Sequence, residues 1–275
     1  MPIDHYENFP VASVLLPRRL RGAVAVIYRF ARSADDFADE GERPDAERLM
    51  LLESYADELR MIERGERSRV PLFQDLAQVI RAHDLPIPLF HDLLSAFAQD
   101  VTKKRYADHA EVLDYCRRSA NPVGRLLLVL FGAATEKNLL HSDRICSSLQ
   151  LINFLQDVAI DCRNGRIYLP QDELERFGVT EAQIAAGKVN AAWRSLMTFQ
   201  INRTRRTLLD GAPLGRALPG RIGLEMRMII AGGDRILTKI AGVRGNVFRH
   251  RPVLRAWDWP LMLLRTFWLR QERSA

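Results

Sequence analysis

Gln150, Asn153, Asp157 and Asp161 stand at helical spacing in QLINFLQDVAIDCRNGRIYLP. Residues three and four apart share one face of an α-helix, so the stripe presents two amides and then two carboxylates. Leu151, Ile152, Phe154, Leu155, Val158, Ala159 and Ile160 occupy most of the positions between them. A helix apolar nearly all round belongs in a core, and a carboxylate is rarely buried there without a partner or a metal. The pattern predicts a polar stripe lining a cavity in a helical protein. Arg163 to Arg166 break the helix and Pro170 closes the segment.

A second stripe mirrors the first. Tyr28, Arg32, Asp35 and Asp39 follow at intervals of four, three and four in YRFARSADDFADE, with Asp36 paired to Asp39. The neighbours Val24, Val26, Ile27, Phe30, Ala31, Phe37 and Ala38 are again apolar. Two bare acidic stripes on core helices repel each other, and divalent cations bound with an anionic ligand relieve that repulsion. Hard oxygen donors favour Mg²⁺, which binds through a few carboxylates together with substrate phosphates. One such spacing is common on solvated helix faces. Two copies, each in an apolar helix and each carrying amide or basic residues, point to a site.

These stripes need long helices to position them. Helical periodicity recurs along all 275 residues and alternating β-branched runs are missing, so the expected architecture is all-α, one domain over residues 1–275. The spacing predicts helices over 17–40, 45–64 with Asp45 as N-cap, 71–83 and 88–104. Asp100, Lys103, Lys104, Arg105 and Tyr106 end the last of these, where basic residues suit the helix dipole. A helix over 109–134 carries Tyr115 and is kinked at Asn121, Pro122 and Gly124. Tyr115 reads either as a buried tyrosine with a satisfied hydroxyl or as one facing a carbocation or a diphosphate. Ser142 begins the helix of the amide and carboxylate stripe. Short helices over 172–177 and 180–186, a long one over 190–209, a loop over 213–219 and a helix over 223–240 follow, the last weakened by Gly232 and Gly233.

Charge and termini narrow the class. Net charge is +6, from 40 basic and 34 acidic residues, with the basic excess over 244–255 and at the end of the chain. No basic stripe is interleaved with aromatics, so no nucleic-acid partner is expected; attraction to anionic lipid or to a diphosphate fits the charge. Cys116, Cys146 and Cys162 lack metal spacing and read as buried thiols in a reducing cytosol. The start, MPIDHYENFP, does not resemble a signal peptide, and no apolar run is long enough to span a bilayer, so a cytoplasmic location is expected. The tail AWDWPLMLLRTFWL over 256–269 combines Trp, Leu and nearby Arg; it fits both an interfacial helix, extending to about 271 on the inner face of the membrane, and a last core helix.

DDFADE and NFLQDVAIDCRNGRIYLP resemble the two aspartate-rich motifs of the squalene and phytoene synthase family, and YCRRSANPVG takes the place of its middle motif. Order and spacing match from His5 to about Pro252. HYENFPVASVLLPRRLR, SANPVGRL and QDVAID further resemble the branch that serves bacterial hopanoid synthesis. The resemblance implies an isoprenoid synthase fold, a helical bundle around one central cavity. It implies Mg²⁺ as cofactor, with Asp35, Asp39, Asn153, Asp157 and Asp161 at the metals. Tyr28, Arg32, Gln150, Arg166 and the arm residue His5 are implied to lie around the diphosphate, and Tyr115 near the reacting carbons. Contact with neighbouring pathway enzymes is an expectation of the same kind. Gln156 and Ile160 depart from the Arg and Glu of many relatives, which removes charge from the metal face. Gly245 replaces a family Tyr, so no hydroxyl role is carried over there.

The activity implied is conversion of presqualene diphosphate and water to hydroxysqualene and diphosphate. The alternative is the earlier head-to-head condensation of two farnesyl diphosphates, which uses every motif named. A reducing relative delivers hydride from a nicotinamide; no GxGxxG follows a strand here, but such relatives bind that cofactor without one. From another class, a non-catalytic helical scaffold on a membrane surface is the competing reading.

Overall fold

The computed structural model describes residues 16–39, 41, 43–249 and 251–268. Thirteen helices follow one another among them: α1 (Arg18–Asp39), α2 (Asp45–Glu63), α3 (Pro71–His83), α4 (Pro88–Thr102), α5 (His109–Ser119), α6 (Asn121–Leu130), α7 (Glu136–Arg163), α8 (Gln171–Phe177), α9 (Glu181–Ala185), α10 (Ala191–Asp210), α11 (Leu214–Ala217), α12 (Gly220–Gly242) and α13 (Asp258–Trp268). No strand occurs among the described residues; an isolated parallel bridge joins Arg105 to Ile167. The architecture is all-α, as the periodicity predicts.

Local chemistry explains the boundaries. Pro71 and Pro88 begin α3 and α4, where a missing N–H costs nothing. Asp108, Thr135, Thr180 and Asn190 cap α5, α7, α9 and α10, each side chain accepting from a backbone N–H three residues on. Arg48 of α2 donates to the carbonyls of Ala38 and Gly41 and so closes the end of α1.

Four expectations need correction. Asp45 is the first residue of α2 and makes no capping bond; the N-cap position is Pro44. The segment over 109–134 is two helices and not one kinked helix. Ala120, at φ −120° and ψ −45°, leaves helical geometry, and Pro122 lies in the first turn of α6. Helix α7 begins at Glu136, six residues before Ser142, because Thr135 caps it. The loop over 213–219 contains the single turn α11.

The apolar side chains form two principal clusters. One runs from Leu16 to Leu130 and joins α1, α2, α3, α4 and α6. The other runs from Leu128 to Val247 and joins α7 to α10 and α12. A smaller third cluster lies between them: Ala96, Tyr106, Val112, Tyr115 and Cys116 meet Leu151, Phe154 and Tyr168. Helix α1 packs on α2, α3 and α4, whereas α7 packs on α5, α6, α10 and α12 among others, so packing connects the stripes through α4 and then α5 or α6. The tail is a docked helix with one bare face. Asp258, Met262 and Thr266 are buried as α13 lies on α12, while Trp257, Trp259, Leu261, Leu263 and Leu264 are exposed. Asp258 accepts from Arg235, Lys239 and the Arg255 N–H. Burial alone pushes its carboxyl up, and these donors outweigh burial and hold it at about 2.

Gly124 is the contact point of α6 and α7. A Cβ there would meet Ser142 Oγ and lie 2.6 Å from Cys146 Sγ. Gly124→Val is therefore expected to lower stability by about 1–3 kcal/mol through overpacking. Urea denaturation followed by circular dichroism checks this; an unchanged midpoint would show that α6 and α7 are not in tight contact.

Candidate active site

Helix α1 presents Tyr28, Arg32, Asp35 and Asp36 as a half-buried stripe between the buried Ile27, Phe30, Ala34 and Ala38. Arg32 Nη1 donates to Asp35 Oδ2 at 3.0 Å and Arg32 Nη2 lies 2.7 Å from Asp36 Oδ1. The single guanidinium thus bridges two carboxylates on its own helix and offsets half of their charge. Asp39 is the last residue of α1; its side chain and all of His5 lie outside the described residues.

Helix α7 repeats the arrangement. Gln150, Asn153, Asp157 and Asp161 are all half-buried, while Leu151, Ile152, Phe154, Leu155, Gln156 and Val158 are buried. The counter-charge to Asp157 comes from far along the chain. Arg251 Nη2 donates to Asp157 Oδ2 at 2.9 Å, and Arg251 Nε donates to Oδ1. A fork of this kind fixes direction as well as charge. The segment carrying Arg251 is tied down along its length. Gln156 Nε2 donates to the Pro252 carbonyl at 2.5 Å, Lys239 Nζ to that of Val253 at 2.8 Å, and Trp193 Nε1 to that of Gly245 at 2.8 Å. Gly245 has φ +73°, and a Cβ there would lie 2.9 Å from Met197. The backbone geometry therefore favours glycine at this position.

Tyr115 is buried on α5, with its hydroxyl satisfied. It donates to Asp100 Oδ2 at 2.5 Å, and Tyr168 donates to the other oxygen, Oδ1, at 2.9 Å. Phe154 of α7 stacks on Tyr168 with ring centroids 3.8 Å apart, and Tyr106 stacks on its ring at 5.4 Å. Tyr168 is brought there by pairing of two loops: Ile167 N donates to the Lys104 carbonyl and Gln171 N to that of Tyr106. Burial, reinforced by the charge of Asp100, pushes the Tyr115 and Tyr168 hydroxyls well above the usual phenol range. Both are therefore protonated donors at neutral pH. Phe154 belongs to α7, so its stacking on Tyr168 places the aromatic box against the helix that carries the stripe. Lys104, at the end of α4, donates to the Asp100 carbonyl, a helix-terminal contact of the kind expected.

The donor chemistry fits a divalent cation. The stripes offer hard carboxylate and amide oxygens, and the charge that Arg32 and Arg251 now supply is the charge a metal would bring. Among the described residues no three His, Cys, Asp or Glu side chains converge on one point.

Sequence reasoning named Asp100 only among the residues that end α4 and did not single out Tyr168 or Arg251. Tyr168 does lie in the RIYLP that follows the second stripe, and Arg251 in the basic run over 244–255.

The chain matches the Squalene/phytoene synthase family over residues 4–258. It is 38% identical over 233 residues to a hydroxysqualene synthase of Rhodopseudomonas palustris, covering 84% of this chain and 78% of that protein. It is 32% identical over 267 residues to a phytoene synthase of Arthrospira platensis, covering 92% and 86%. The crystal structure of squalene synthase HpnC from Alicyclobacillus acidocaldarius superposes with a TM-score of 0.81 at 35% identity, covering 87% of this chain and 90% of that one. A dehydrosqualene synthase complex superposes at 0.82 with 20% identity, which speaks for the shared fold, covering 98% and 93%.

Arg251 occupies the Asp157 carboxylate, so a cation bound to that carboxylate would have to compete with it. Arg251→Gln is expected to tighten Mn²⁺ binding to the substrate-free protein about three- to tenfold, the equivalent of roughly 1 kcal/mol for a half-buried ion pair. Electron paramagnetic resonance titration measures this directly. Equal affinity in both proteins would show that Asp157 is not a metal ligand or that Arg251 does not compete for it.

Proposed function

Because the chain belongs to the squalene and phytoene synthase family, we propose that it converts presqualene diphosphate and water to hydroxysqualene and diphosphate, with Mg²⁺ as cofactor and residues 1–275 acting as one domain. The observation that carries the reading is the pair of carboxylate stripes on α1 and α7, each paired with an arginine and the second flanked by an aromatic box. Identity to hydroxysqualene synthases favours the hydrating step over the condensing one, which uses the same motifs.

Asp35, Asp39, Asn153, Asp157 and Asp161 would hold the metal, which supplies Lewis-acid neutralisation of the leaving diphosphate. Arg32 and Arg166, with Tyr28, Gln150 and His5, bind and orient that group. Ionisation of its C–O bond leaves a carbocation, and charge fixed in advance around the departing anion lowers the barrier without reorganisation. Phe154, Tyr115 and Tyr168 offer aromatic faces to the cation.

A second reading concerns location. No helix among the described residues is long and apolar enough to cross a membrane. Helix α13 and Trp257 just before it nevertheless leave Trp257, Trp259, Leu261, Leu263 and Leu264 exposed, and Arg255 lies 5.0 Å over the Trp257 ring. Aromatic and aliphatic side chains beside arginine suit peripheral attachment to anionic lipid. Docking against neighbouring pathway enzymes is the other use of such a face.

Purified protein with Mg²⁺ and presqualene diphosphate, without NADPH, is expected to yield hydroxysqualene, and farnesyl diphosphate is expected to yield nothing. Presqualene diphosphate formed from farnesyl diphosphate would move the protein to the condensing step. Asp35→Ala and Asp157→Ala should each lower turnover by at least about 10²–10³ with circular dichroism unchanged; retained turnover would favour the scaffold reading. Vesicles of phosphatidylcholine and phosphatidylglycerol should co-sediment with the protein. Trp259→Glu with Leu264→Glu should weaken that binding roughly tenfold or more, and equal binding would remove the lipid reading.

A further inference from the structure

We infer that Asp100 is a positioning residue for hydration: its buried carboxylate aims the Tyr115 and Tyr168 hydroxyls so that their oxygens hold the attacking water, and it takes up the proton released through Tyr115. This rests on the hydrating reading above.

Asp100 is 6% exposed at the end of α4, and its two oxygens accept one phenol each. Burying a carboxylate in an aromatic cluster is costly, and an apolar residue would join these helices at lower cost. Its value lies in direction. A phenol has a single proton, and both phenols are protonated donors. Each spends that proton on Asp100, so each presents only lone pairs to its other surroundings. A water held there must donate to the phenol oxygen, which leaves its own lone pair free for an electron-poor carbon. Were the phenol to donate to the water, that lone pair would be engaged and the water a poorer nucleophile.

The box stands beside the stripe where such a carbon would form. Phe154, stacked on Tyr168, is next to Asn153 and three residues from Asp157, and the charges of Asp161 and Arg166 reach the Tyr168 hydroxyl. The step balances. A lone pair of water forms the new C–O bond with the allylic cation. One water proton moves to Tyr115 Oη as the Tyr115 proton moves to Asp100 Oδ2, and the O–H electron pair stays on the new hydroxyl. The diphosphate set free by ionisation is the final proton acceptor. The short Tyr115–Asp100 bond provides the path for the middle transfer. Without an aimed water the same cation can lose a C–H proton instead, its electron pair closing a new double bond to give a hydrocarbon.

The test measures products per diphosphate released from presqualene diphosphate, for wild type, Asp100→Asn and Tyr115→Phe. Asparagine keeps the shape of Asp100 but turns one acceptor into a donor, so one phenol must reverse. The fraction of turnovers ending in hydroxysqualene is expected to fall at least about tenfold in both variants, with dehydrated hydrocarbon taking its place. A purely structural Asp100 would alter the rate and leave this fraction alone. If Asp100→Asn fails to fold, Tyr115→Phe and Tyr168→Phe carry the same comparison with the ring packing retained. Wild-type product proportions in the variants would overturn the proposal alone. A wild type that makes no hydroxysqualene would remove the hydrating reading and the proposal with it.

Discussion

A carboxylate on an apolar helix needs a counter-charge, and much of this molecule's architecture answers that need. Asp35 and Asp36 find it one turn back, in Arg32. Asp157 finds it 94 residues away, in Arg251. The second solution is the more demanding. It obliges the chain after α12 to return across α7, and Gln156, Lys239 and Trp193 hold it there by binding its carbonyls. Gly245 permits the turn that starts the return. The α7 stripe is thus set partly by its own helix and partly by a strap that crosses it.

The third acidic position answers the same need differently. Two phenols donate to the Asp100 oxygens, Tyr115 from α5 and Tyr168 from the loop after α7. Such bonds are directional in a way that an exposed ion pair is not. The two outer clusters are apolar and fill space. The layer between them contains aromatic rings, hydroxyls and one carboxylate, and it lies where the acidic helix α7 meets the rest.

What could be read in advance followed from local physics. A period of 3.6 identified the helices that carry both stripes, and Pro71 and Pro88 marked two starts to the residue. The half-buried character of Gln150, Asn153, Asp157 and Asp161 followed from spacing alone. Other features depend on partners that local pattern cannot identify. Nothing near Asp100 announces Tyr168, 68 residues on, and nothing near Arg251 announces Asp157. The true start of α7 at Glu136, capped by Thr135, was obscured because the first two turns of that helix carry no clear apolar stripe. At Ala120 the apolar periodicity runs on through a real break, because α5 and α6 bury different faces against different neighbours.

The division of the apolar clusters along the chain bears on how the protein is made. Members of the first cluster end at Leu130, and those of the second begin at Leu128. A ribosome therefore delivers all of the first before it has delivered most of the second. The leading half can collapse on its own side chains while the trailing half is still in the tunnel, which limits the time that apolar surface spends uncovered. Tyr115 then waits for Tyr168, and α7 receives its strap last of all. Birth order and architecture agree, and the acidic face is completed only when Arg251 has emerged.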